Sequence, residues 1–526
     1  MVNATMFNLE VGKLAIIKNA KIDLKPFTIF FGKNNTGKTY LAYLIYGIGK
    51  IGNRVESVKL LDRHDIRFLN IIDLKPLEDS LQKFMEGKFD EIDSYTFEIN
   101  VDQIYEYSIA SKFVSKIFNT SIKCENIKFK FYNMPAKLRI NFYIKSIDDI
   151  PKEVPIPKFI VEHLRQYFTE IEVKPVLFSF FRSAKDHHFV LGIHFGYRLD
   201  KANNLVDLHI FLTPSKKFKK EVSVMKDIKT WIYDGINEIL IYYAQDIIGE
   251  NIKDVIFIPA PKSGIYLLRK ALFRKGLEET LEKGEIKIIK EGEADKDISL
   301  PLPKPVIDFV KLTLFENLKI DEEFKDLVDF GEKNIIHGFL EYNPEVDEVF
   351  YRPRRMKKIS IPPQMSSALV VESIPLLTFL RYGIIKKGNL VIIEEPEAHL
   401  HPDAQRNLVR LLVRMVNRGI YILLITHSPY VLQQINNCIL LHNLDEEKRQ
   451  KFLKKHGYTT DDKLNPDLVS AYLFELDRWG YSRVKPLKID EEGIPYDAFF
   501  ATLMELSKET RELRRLIHEQ LEESEG

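Results

Sequence analysis

Cysteine is nearly absent. The chain holds two, Cys124 and Cys438, far apart and outside any C-x-x-C pair; this argues against a disulfide framework and a cysteine zinc site. Net charge is small too. A value of +1 gives no global field to attract nucleic acid, so any basic surface must be local. Long apolar runs are missing: the longest, such as Ile420–Ile425, fall far short of a membrane span. The opening MVNATMFNLEVGK lacks a basic segment followed by an apolar run, which predicts no signal peptide, no membrane partner and a cytoplasmic location. Internal repeats and low-complexity tracts are also lacking. What is present suits a folded core, with 45% apolar and 29% charged residues. A length of 526 residues predicts two to four compact units. Abundant Lys, Glu and Ile with little Gln leans towards a thermophile composition.

The chain divides by pattern. Residues 1–50 hold an apolar strand, Phe27–Phe31, a glycine-containing loop and a buried helix over Tyr40–Tyr46. Residues 51–250 change character. Lys128–Tyr132, Leu138–Ile144, Phe189–Phe195 and Val206–Leu212 alternate with period two, and Lys158–Phe168 and Ile228–Ile248 read as helices. This is an α+β insertion with an antiparallel sheet, its many aromatics read as core. Residues 251–445 open on a strand, Asp254–Ile258, continue mainly as helices without sustained heptads, and return to alternating helix and strand after 359. Residues 446–526 form an α+β tail that closes on an amphipathic helix, Tyr496–Glu523, with Phe499, Phe500, Leu503, Leu506, Leu513, Leu516 and Ile517 on its apolar face.

Gly32-Lys-Asn-Asn-Thr-Gly-Lys-Thr39 fits G-x-x-x-x-G-K-[ST] and lies between a strand and a helix, the context that separates a phosphate loop from a chance turn. Backbone N–H groups of Gly32, Lys33, Asn34, Asn35, Thr36 and Gly37 would cradle phosphate at the positive end of the helix. Gly32 and Gly37 allow close backbone approach. Lys38 would bridge the β- and γ-phosphates of ATP, Thr39 would ligate Mg²⁺, and Tyr40 would line the nucleotide.

Asn389–Ile393 is an apolar strand that ends in Glu394 and Glu395. Ligands of open α/β sheets bind at such carboxyl ends. Glu394 continues the strand and would reach the Mg²⁺ shell. Glu395 points elsewhere and would orient or deprotonate the attacking water. A second strand, Ile420–Ile425, ends at Thr426 and His427, with Ser428 as an N-cap and Pro429 at N1. His427 would hydrogen-bond the γ-phosphate or the attacking water. Ser366 and Ser367 start the helix before the acidic strand. They read as an N-cap, and as groups able to bind the γ-phosphate of ATP held by a second subunit.

These elements, in this order, resemble the ABC-type ATPases of the SMC, RecF and OLD (overcoming lysogenization defect) group, and above all the AAA-type ATP-binding proteins related to OLD nucleases. Gly32–Thr39 is similar to Walker A, Met365–Ala368 to the signature, Ile393–Pro402 to Walker B with its D-loop, and Thr426–Pro429 to the H-loop. Ile256–Gly264 resembles a Pro-Ala-x-Arg-Ser segment in which Lys262 replaces the arginine. Residues 471–475 and 493–495 fit the group loosely, and the 51–250 insertion matches no motif. The resemblance implies an α/β fold: an ABC-type P-loop NTPase head with a mixed sheet, interrupted by the α+β insertion. It also implies a Mg-dependent ATPase that closes as a nucleotide-sandwich homodimer, with a separate nuclease or toxin effector.

An in-chain Toprim nuclease needs a strand-end Glu and a later Asp-x-Asp. No Asp-x-Asp follows His427; Asp461-Asp462 and Asp490-Glu-Glu492 read as turn acids. A RecF-like DNA-binding role stays open on two basic clusters, Lys216–Lys220 and Arg352–Lys358. A scaffold that binds ATP with little turnover is the third reading, and Glu395 argues against it.

Overall fold

The computed structural model describes residues 6–51, 66–68, 95–100, 107–109, 111–131, 137–144, 178–180, 191–200, 205–214, 252–282, 302–314, 319–356, 358–495 and 497–525. The helical patterns at 158–168 and 228–248 and the basic cluster at 216–220 lie outside these residues. The chain splits into two compact units: residues 1–53, 111–127 and 251–526 in one, 54–110 and 128–250 in the other.

The first unit is built on a mixed sheet of 9 strands. Its central block is parallel, in the order Asp254–Ile258, Asn389–Glu394, Tyr421–Thr426, Phe27–Gly32, Val469–Leu476. The registers Glu394↔Ile425, Thr426↔Phe31 and Phe474↔Gly32 set the strand ends level. Strand Asn389–Glu394 is buried along its whole length, as expected where helices cover both faces of a parallel sheet. Beyond Val469–Leu476 the sheet turns antiparallel through Ser482–Leu487 and continues through Ile17–Leu24 and Phe7–Leu14. One apolar cluster joins the strands of the parallel block to the helices Ala368–Arg381, Pro402–Asn417 and Pro429–Asn443.

Three features depart from the sequence reading. Residues 111–127 fall within the stretch read as insertion, yet they belong to the first unit. Their helix Ser111–Phe118 puts Ile117 against Gly47 of the helix Lys38–Ile51, where an added Cβ would lie 2.0 Å from Ile117 Cδ1. The tail shares the main sheet, because Val469–Leu476 pairs with Phe27–Gly32. The stretch after 258, read as mainly helical, also contains an antiparallel hairpin, Gly338–Asn343 with Glu348–Pro353.

The second unit contains a five-stranded sheet in the order Tyr95–Asn100, Lys137–Ile144, Leu205–Pro214, Leu191–Asp200, Phe178–Phe180. Of the period-two stretches, Leu138–Ile144 and Val206–Leu212 lie on its strands, Phe189–Phe195 does so from Leu191 onward, and Lys128–Tyr132 overlaps Cys124–Phe131, a strand outside this sheet. The expectation of an antiparallel sheet needs correction, because Leu205–Pro214 pairs parallel with Lys137–Ile144. Alternation reports which face a residue occupies and is blind to strand direction.

Candidate functional site

The loop Gly32–Thr39 joins the strand Phe27–Gly32 to the helix Lys38–Ile51. Gly32 has φ +134°, and a Cβ there would sit 2.2 Å from the carbonyl oxygen of Phe474. The glycine therefore answers to the neighbouring strand as well as to any phosphate. Gly37, at φ +88°, abuts the Ile17 side chain. Asn35 has φ +59°, the left-handed region that asparagine tolerates better than most residues. Lys33, Asn34, Asn35, Thr39 and Tyr40 are exposed, and Tyr40 stacks on Phe118 at 5.5 Å.

Lys38 is buried and closes the loop on itself. Its Nζ donates to the carbonyl oxygens of Gly32 (3.0 Å) and Lys33 (2.7 Å) and to Thr36 Oγ1 (3.2 Å). Burial lowers its pKa to about 8, against the opposing pull of Glu395 and Glu394. That pull places both carboxylates in the electrostatic neighbourhood of the loop lysine.

The two glutamates differ in surroundings, with Glu394 closing the strand and Glu395 lying just past its end in a left-handed turn. Glu394 is buried; Oε2 accepts from the Ala260 N–H at 3.3 Å, and Oε1 has no hydrogen-bond partner. Burial pushes its pKa up, and Thr39 offsets part of that push. An orphaned carboxylate oxygen with an exposed threonine hydroxyl nearby fits Mg²⁺, which takes one or two protein oxygens and completes its shell with phosphate and water. No cluster of three or more His, Cys, Asp or Glu able to hold a metal occurs among the described residues.

Glu395 is partly exposed and adopts φ +41°, a strained backbone for a residue with a side chain. Two bonds hold that turn: its N–H donates to the Ile425 carbonyl at 2.8 Å, and its carbonyl accepts from Lys262 Nζ at 3.0 Å. The Glu395 Oε1 atom lies 3.5 Å from His427 Nε2. Burial first, then Lys38, lowers the His427 pKa, which keeps the ring neutral near pH 7. Ser428 caps the next helix through the Val431 N–H, with Pro429 in its first turn, as the sequence reading expected.

Three residues in this constellation escaped the sequence reading as site residues. Glu397 is buried and ties the acidic turn to the histidine strand: Oε1 accepts from Thr426 Oγ1 at 2.6 Å and from the His427 N–H at 2.8 Å. Lys262 also pairs with Glu372 Oε2 at 2.9 Å, both side chains almost wholly buried. Glu372 sits on the helix Ala368–Arg381 that Ser366 and Ser367 precede. Lys262 thus links the start of that helix to the Glu395 turn. A lone acid in the apolar run Ala-Leu-Val-Val-Glu372-Ser-Ile-Pro-Leu-Leu was the available signal, since a buried carboxylate needs a partner.

Ser366 and Ser367 stand apart. Their described hydrogen bonds are local, and Ser366 Oγ donates to the Pro362 carbonyl at 3.0 Å. Ser367 occupies the N-cap position, but its side chain makes no cap hydrogen bond. The expected capping role is therefore corrected: position and backbone are right, and the hydroxyl is exposed and uncommitted. Asp461 and Asp462 do lie in a turn; Asp462 is fully buried between Arg410 and Arg414. In the basic cluster at 352–358, Arg352 is neutralised by Glu341 at 2.6 Å. Among the described residues no helix is long and apolar enough to cross a membrane.

A family model described as an AAA ATPase domain matches residues 15–432. Protein ea59 of Escherichia phage lambda is 26% identical over 122 residues, and that stretch covers 23% of this chain and 23% of the phage protein. Among solved structures, the SMC head domain from Thermotoga maritima overlays 92% of this chain and 100% of its own at 9% identity and a TM-score of 0.28. An SMC head with an extended coiled coil, bound to the C-terminal domain of ScpA derived from Pyrococcus furiosus, overlays 96% of this chain and 98% of its own at 12% identity and 0.30.

Proposed function

The chain belongs to the AAA ATPase domain family, and from that premise we propose that it hydrolyses Mg·ATP at the loop Gly32–Thr39, with Glu395 as the base. The observation that supports this is the meeting of three strand ends: loop lysine, glutamate pair and histidine. Lys38 would turn from the loop carbonyls to the β- and γ-phosphates. Thr39 and Glu394 would hold Mg²⁺, which supplies charge neutralisation for the phosphates. Glu395 would orient or deprotonate water, and neutral His427, 3.5 Å away, would accept or donate one hydrogen bond to the water or the γ-phosphate. Lys262 and Glu397 position these groups through the backbone.

We further infer a sandwich homodimer. The uncommitted Ser367 hydroxyl and the open first turn of its helix suit the γ-phosphate of ATP held by a second copy. We place the chain as the ATP-driven subunit of an OLD-like defence or DNA-processing system with a separate effector; capture of a nuclease or toxin by the ATP-bound form would support that role. The test of the core reading is Glu395→Gln. It should lower kcat by about a thousandfold and trap an ATP-bound dimer. Normal turnover by that variant would remove Glu395 as the base.

A further inference from the structure

We propose that the terminal helix Asp497–Glu525 pairs with the same helix of a second copy as a parallel, in-register coiled coil, independently of nucleotide. Every described side chain from Met504 to Gln520 is exposed. Leu506, Leu513, Leu516 and Ile517 are 54, 61, 48 and 56% exposed, on a helix that nothing in its own chain covers among the described residues. A lone helix with such a stripe has little reason to stay folded in water.

The spacing names the occupant. Leu506, Thr510, Leu513, Ile517 and Gln520 recur at alternate steps of four and three residues, the seam of a left-handed coiled coil. Leucine falls at the d positions 506 and 513, and β-branched residues at the a positions 510 and 517. That distribution favours two parallel strands. The Thr510 hydroxyl is bonded to the Leu506 carbonyl at 2.8 Å, which satisfies its one polar group within its own helix. Lys508, Arg511, Glu512, Arg515 and Glu519 occupy the outer b, c and f positions, where Arg515 pairs with Glu519 at 3.1 Å.

Charge sets the direction. In a parallel pair, the g position of one helix faces the following e position of the other. Glu509 then meets Arg514 of the second copy twice by symmetry, and Leu516 sits beside the seam. Antiparallel pairing about the midpoint would set g beside g and e beside e. Glu509 would face Leu516, Arg514 would face Ser507, and both ion pairs would be lost. The seam thus fits a second copy of itself in one orientation.

The test is the mass of the full chain in solution without nucleotide, by sedimentation. Wild type and Lys38→Ala should both be dimers, which separates this contact from the ATP sandwich. Leu513→Asp with Ile517→Asp should weaken association by about a hundredfold or more and leave the thermal transition of the rest unchanged. Glu509→Arg alone should weaken it, and Glu509→Arg with Arg514→Glu should restore it. With Cys124 and Cys438 replaced by serine, Leu506→Cys should cross-link copies on oxidation. A monomeric wild type, a dimer indifferent to Leu513→Asp with Ile517→Asp, or a double reversal that fails to rescue would each overturn the proposal.

Discussion

Two buried acidic regions of the first unit make a controlled comparison. Asp462, at the end of a short turn, has both oxygens engaged. Arg414 Nε reaches Oδ1 at 2.7 Å; Arg410 reaches Oδ2 at 2.8 Å, and the Thr459 N–H reaches it at 2.7 Å. Burial alone would raise its pKa, but the bonds from Arg414, Arg410 and Thr459 outweigh burial and the net direction is down. Glu394 and Glu397 are buried in the same unit, and each leaves one oxygen without a partner. There burial wins and both pKa values go up. A satisfied carboxylate is architecture. An unsatisfied one carries a desolvation cost that its own chain does not offset.

Mutation can break that contrast. Asp462→Ala should cost about 3–5 kcal/mol, because Arg410 and Arg414 would remain with uncompensated charge; chemical denaturation measures it, and ATP turnover per folded molecule should stay normal. Lys262→Met tests a residue that belongs to both classes. It should cost about 2–4 kcal/mol by stranding buried Glu372, and it should also lower kcat about tenfold by freeing the Glu395 turn. A stability loss with unchanged kcat would make Lys262 purely structural. Glu394→Gln should be neutral or stabilise the free chain by about 1 kcal/mol, since it removes a poorly solvated charge. It should still weaken Mg·ATP binding about tenfold, read by titration with a fluorescent nucleotide.

Acid sharpens the comparison last and least. Asp462 has a folded pKa below its unfolded value, about 3.9. Its contribution is therefore complete above that value and is lost as pH falls through the folded one. Glu397 runs the other way: its penalty is present above its raised pKa and is relieved as pH falls through it. Asp462→Asn should flatten the loss of stability below about pH 4, and Glu397→Gln should remove the gain in stability that acidification brings as pH falls through the raised Glu397 pKa. Equal slopes in both variants would dissolve the distinction.

Much of the site was legible because each part is local. Loop, glutamate pair and histidine each sit at the end of an apolar strand, and the residues after a strand end must face a parallel sheet's ligand edge. The separation of Glu394 from Glu395 was anticipated from alternation, but its cause is the left-handed turn at Glu395, just past the strand end. Partnership was not legible. Lys262 meets Glu372 and Glu395 across more than a hundred residues, and spacing carries no signal for that. Ser367 was read two ways, as a cap and as a group free to meet a second subunit's phosphate, and the chain does not make the cap bond. In the fold, the place of Val469–Leu476 beside the loop strand and the parallel pair in the second unit depend on long-range pairing that period-two patterns do not encode.

That inserted strand has a consequence for how the protein is made. The strand Phe27–Gly32 leaves the ribosome early, yet its two neighbours are residues 421–426 and 469–476. At about 5–20 residues per second, it waits roughly 20–80 s with both edges bare. Throughout that interval the nascent chain carries an apolar ribbon open to stray pairing, so yield should depend on chaperone supply, and on codon choice across residues 33–420, more than folded stability alone would suggest.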